Sequence, residues 1–111
     1  MERRNDVPNL LAIYIRNTRK IYDITTWLQD CLIKKINNGV QLQLEYLANC
    51  STMKIIIREA AKLLYKYDGI TPTKQEKQEA AREHAKYILD SVQYSIKNAN
   101  TDILPIKTKT L

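Results

Sequence analysis

The chain of 111 residues has two glycines, three prolines, two cysteines, one histidine, one tryptophan and no phenylalanine. Each scarcity excludes something. With only Gly39 and Gly69, there is no glycine-rich loop to cradle a phosphate. Cys31 and Cys50 form no CxxC pair and have no histidine cluster beside them, which argues against zinc. They read as two half-buried, reduced thiols of an intracellular protein. The single histidine, His84, falls on the inner face of a helical segment, where it reads as a packed residue, and no serine or cysteine has a recognisable histidine partner. No apolar run approaches the roughly 20 residues that span a bilayer. The stretch from Leu10 to Ile15, between Arg3-Arg4 and Arg16, is also too short for a secretory signal. These absences predict a cytoplasmic, non-enzymatic protein with no metal, cofactor, small-molecule substrate or membrane partner.

What is present is ordinary in amount and uneven in kind. Apolar residues make up 44% and charged residues 27%, which places the chain with globular rather than disordered proteins. The net charge of +6 favours anionic partners, though charge of this size also serves solubility. Seven tyrosines and abundant Ile, Lys and Asn fit an AT-rich genome, such as that of a phage or low-GC bacterium, and a phage or mobile-element origin is the expectation.

Both glycines stand where a periodic apolar run stops, as helix-ending residues do. The first segment, about 7–38, opens on Asp6 as a cap with Pro8 in its first turn. Leu10, Tyr14, Asn17, Ile21, Ile24, Leu28 and Cys31 line one face, widened by Leu11, Thr25, Leu32 and Ile36. The second, about 40–68, places Leu42, Tyr46, Asn49, Met53, Ile56, Ala60, Leu63 and Tyr67 on one stripe with no Gly or Pro between them. The third, about 72–99, starts from either Thr71-Pro72 or a Thr73/Glu76 capping box. It buries Ala81, Ala85, Ile88, Val92, Ile96 and Ala99, and an irregular tail follows. The predicted fold is an all-α, antiparallel up-down-up three-helix bundle. It comprises one domain over 7–99, an N-terminal arm over 1–6 and a C-terminal tail over 100–111.

A second reading uses the alternation of Val40-Gln41-Leu42-Gln43-Leu44, which suits a short strand. With it, Thr52–Ala60 resembles the second helix of ribbon-helix-helix repressors, and the resemblance implies a dimeric DNA reader. Only residues 45–51 remain for the first helix and turn, where that family uses a longer helix.

The functional candidates are surface features. Lys54, Arg58, Lys62 and Lys66 recur every four residues, drifting by about 40° per step, and lie opposite the core stripe with Tyr65 among them. A corner at Gly39 brings Asn9–Ile24 level with this ladder, adding Arg16, Arg19 and Lys20. Such a patch suits phosphates, with Tyr65 as a stacking face, and predicts an accessory nucleic-acid-associated protein. Trp27 stands roughly 150° from its helix's apolar face, and Ile55, Tyr65, Tyr87 and Tyr94 also fall outside the stripes. These five predict, as the alternative, a protein-partner or self-assembly interface in an oligomer or larger complex.

Overall fold

The structure, a computed structural model, describes the backbone of residues 7–110 and the side chains of residues 7–98, so the expected arm over 1–6 lies outside the described residues. Among them are five helices and no strand: α1 Val7–Asn17, α2 Arg19–Asn37, α3 Leu44–Ala48, α4 Ser51–Asp68 and α5 Lys74–Thr110. The class is all-α as expected, but the chain is not three unbroken rods.

The first segment breaks at Thr18, whose backbone is extended (φ −109°, ψ 122°). Its carbonyl accepts the first bond of α2, from the Tyr22 amide at 2.8 Å, while Asn17 turns its side-chain amide back to the Ile13 carbonyl at 2.9 Å. The reason for the break lies in the core. α1 buries Val7, Leu11 and Ile15, and α2 buries Ile21, Thr25, Leu28 and Leu32. In a continuous helix the step from Ile15 to Ile21 would rotate the face by about 120°. Thr18 removes that mismatch. The expected stripe is therefore corrected in α1: Leu10 and Tyr14 are only partly buried and Asn17 is exposed.

The second segment is corrected too. α2 ends in a Schellman motif, with Gly39 at φ +89°, its amide on the Ile36 carbonyl and the Val40 amide on the Lys35 carbonyl, both at 2.9 Å. Residues 40–43 are then neither helix nor strand, so the ribbon of the ribbon-helix-helix resemblance is absent among the described residues. α3 is little more than one turn. It buries Leu47 and Ala48, and Cys50, in extended backbone, precedes α4. Tyr46, Asn49 and Tyr67, expected inside, are exposed, and the α4 core stripe is Met53, Ile56, Ile57, Ala60 and Leu64.

The turn from α4 to α5 follows the expected chemistry. Gly69 adopts the left-handed conformation (φ +66°), and its amide bonds to the Tyr65 carbonyl at 2.9 Å. Ile70 folds back onto the core cluster. Of the two possible starts for α5, the capping box is the one used. The Thr73 amide donates to Glu76 Oε1 at 2.7 Å, and the Glu76 amide donates to Thr73 Oγ1 at 3.1 Å. Ala81, Ala85, Ile88 and Val92 are buried as expected, joined by Ala80 and His84. The helix does not stop near residue 99, and the backbone remains helical to Thr110. A proline's φ is itself helical, so Pro105 forfeits a backbone hydrogen bond without ending α5. Side chains over 99–111 lie outside the described residues.

α1 and α2 each pack against both α4 and α5, and α3 packs on α5. Tyr14 meets Asp68 while Lys20 meets Glu59, so α1–α2 and α4 run antiparallel. Cys31 and Cys50 are free and half-buried.

Candidate nucleic-acid interface

The four cations of the ladder are all exposed, and their slow drift around α4 divides them between its two edges. Lys62 and Lys66 lie toward α1 and α2. Lys54 and Arg58 lie toward α5, where they line a cleft with Lys74 and Lys77. A straight four-residue ladder on a 3.6-residue helix has to wind in this way.

On the α2 side the organising residue is Glu59. Its carboxylate is within 3.4 Å of Lys20 Nζ from α2 and 3.5 Å of Lys62 Nζ from its own helix, and its side chain is only 18% exposed. Desolvation by burial pushes the Glu59 carboxyl upward. The hydrogen bonds and charges of Lys20 and Lys62 outweigh that and hold it below its ordinary value. The corner at Gly39 places Lys20 level with Arg58, and the structure puts it one residue away.

That pairing also fixes what lies further along the seam. Trp27 is seven residues beyond Lys20, and Ile55 is four before Glu59 on the antiparallel helix. The two come level to within about 5 Å along the axis. Trp27 is 59% and Ile55 39% exposed, and both stand on the edge that carries Lys20 and Lys62. Part of the basic ladder, Lys62, and part of the apolar excess, Trp27 and Ile55, thus share one seam.

The C-terminal end of the ladder is tied to α1. Lys66 Nζ lies 5.3 Å from the Tyr67 ring centroid, and Tyr67 stacks on Tyr14 at 6.3 Å. Tyr14 donates to Asp68 Oδ2 at 2.6 Å, a bond that raises the phenol's pKa with help from desolvation and the carboxylate charge.

The other candidates fall elsewhere. Arg19 pairs with Asp23 at 3.2 Å and lies over Tyr22, facing solvent. Arg16 lines a cleft of about 670 Å³ between α1 and α5 with Glu79, Glu83 and His84, apart from the ladder. His84 Nε2 is 3.0 Å from Thr25 Oγ1, and its ring stacks on Tyr87 at 5.9 Å. Burial lowers the imidazole to about 4, so it is neutral at physiological pH. Tyr65 is exposed within the ladder, whereas Tyr87 and Tyr94 are exposed on α5. The five apolar candidates therefore do not form a single patch.

Sequence reasoning missed Lys74 and Lys77. The Thr73/Glu76 box marks only where α5 starts; the packing of its Ala81, Ala85, Ile88 and Val92 face turns both lysines to the edge facing α4. Among the described residues, no group of three or more His, Cys, Asp or Glu side chains is placed to hold a metal, and no helix is long and apolar enough to cross a membrane. The chain matches no protein-family model, no curated protein and no solved structure.

Proposed function

We propose that this is a non-enzymatic helical protein that associates with nucleic acid along the seam between α2 and α4. The observation that carries the reading is the Lys20–Glu59–Lys62 bridge. It draws cations of two helices side by side in line with an exposed tryptophan. Phosphates would meet Lys20, Lys62 and Lys66, and Trp27 would give an unpaired base a stacking surface. Single strands suit this arrangement better than duplex, because a ring needs an unstacked base. The fluorescence of Trp27, the chain's one tryptophan, reports binding directly.

A salt titration with a fluorescent single-stranded oligonucleotide tests the proposal. About three neutralised phosphates give a slope of log affinity on log salt near −2. The Lys62→Glu, Lys66→Glu variant makes that slope shallower. Absence of binding at ~50 mM salt rejects the reading.

A further inference from the structure

Between α4 and α5, with Ala48 and Asn49 of the α3 end closing one side, lies a cleft of about 380 Å³. Its floor is aliphatic, formed by Ile57 and Ala61 of α4 and Ala81 of α5, with Met53 fully buried beneath them. Its rim is cationic, with Lys54 and Arg58 on one helix and Lys74 and Lys77 on the other. None of these four side chains has an ion pair among the described residues.

The acids that would neutralise them are engaged elsewhere. Glu76 holds the Thr73 amide in the capping box, Glu45 pairs with Arg82, and Glu79 and Glu83 line the cleft against α1. The first turns of α5 therefore separate their charges, with Lys74 and Lys77 toward α4 and Glu79 and Glu83 toward α1. Like charges gathered around a desolvating floor repel one another, and an anion is what relieves them.

The floor narrows the identity of that anion. No tyrosine or tryptophan lines the cleft, so a nucleobase finds no ring to stack on. A bare phosphate has no use for Ile57, Ala61 and Ala81. A ligand with an anionic head and an aliphatic body uses both, and the volume is that of a small-molecule site. We propose that the α4–α5 cleft binds an anionic amphiphile, a carboxylate or phosphate ester carrying an alkyl chain. The chain lies on Ile57, Ala61 and Ala81, over the fully buried Met53, and the head sits among Lys54, Arg58, Lys74 and Lys77. The lysine stems fold over the chain while their ammonium groups stay at the rim.

The site is separate from the nucleic-acid seam in Lys74, Lys77 and the whole floor, so the two readings fail independently. Decanoate and decyl phosphate, kept below micellar concentration, serve as probes, followed by the methyl resonances of Met53, Ala61 and Ala81. Saturable shifts confined to these methyls are expected, and the tighter of the two probes identifies the head group as carboxylate or phosphate. Each methylene removed weakens binding by up to about fourfold. Inorganic phosphate and decanol bind at least tenfold more weakly than the better probe. Lys74→Glu with Lys77→Glu weakens that probe at least tenfold. Ala61→Leu, which fills the floor at a half-exposed position and keeps all four cations, also abolishes binding. Helix content by circular dichroism confirms that both variants are folded. Shifts that do not saturate, decanol binding as well as decanoate, or indifference to the charge reversal overturns the proposal. So does binding to phosphatidate vesicles without binding of either free probe. Oligonucleotide binding lost while the decanoate shifts persist removes the seam reading and leaves this one.

Discussion

Thr25 Oγ1 on α2 and His84 Nε2 on α5 lie 3.0 Å apart, both buried, and form the polar link between two otherwise apolar helix faces. Burial lowers the imidazole from its ordinary 6.5 to about 4. The unfolded chain therefore takes up a proton near 6.5 that the folded chain refuses until about 4. The stability this group contributes is complete above 6.5 and is lost as the pH falls to about 4. The loss over that window is about 3 kcal/mol. Urea denaturation across it should show the decline, and a Thr25→Val, His84→Leu variant should flatten it. A decline unchanged in that variant would assign the effect to carboxylates instead.

The break at Thr18 makes a prediction that an unbroken helix would reverse. Arg19 is the first residue of α2, where the amide has no helical partner, and Thr18 already has the extended backbone that a following proline requires. Arg19→Pro should thus change stability by less than about 1 kcal/mol, beyond the loss of its exposed pair with Asp23. In a continuous helix over 7–38 the same change costs about 3 kcal/mol or more. A chemical denaturation midpoint separates the two.

The capping box gives a paired comparison. Thr73→Ala removes the hydroxyl that receives the Glu76 amide and should cost about 1 kcal/mol. Thr71→Ala, at the start the chain does not use, should lie within about 0.5 kcal/mol of the parent. Equal losses at both positions would place the helix start two residues earlier.

These contrasts show which parts of the fold were legible. Gly39 and Gly69 could be read directly, because a left-handed backbone at the end of an apolar run selects glycine almost by itself. The α5 face was legible for a similar reason, since Ala81, Ala85, Ile88 and Val92 leave a helix one way to face inward. α1 was not. Leu10, Leu11, Tyr14 and Ile15 offer two overlapping stripes. Only the position of Ile21 after the extended Thr18 decides for Val7, Leu11 and Ile15. The interrupted start of the second segment was equally hidden, because Tyr46 and Asn49 continue the apolar stripe in sequence and yet are exposed. The candidate site was half visible. The lysine ladder is a local pattern, whereas its division between two edges and the arrival of Lys74 and Lys77 depend on how α5 is phased against α4.

Glu59 supplies the last test because it competes with any phosphate at the seam. It pairs with both Lys20 and Lys62 in the free protein and offsets one of their two charges, so a bound backbone must displace it or share its lysines. Glu59→Gln removes that competition and keeps the side chain's shape. Oligonucleotide affinity at low salt should rise severalfold, and the salt slope should steepen by up to about one for the further phosphate contact it permits. Lys20→Gln in the same background should return both toward the parent values. If Glu59→Gln leaves affinity and slope unchanged while the protein stays folded, phosphates do not contact this seam. The bridge then serves only to hold α2 against α4.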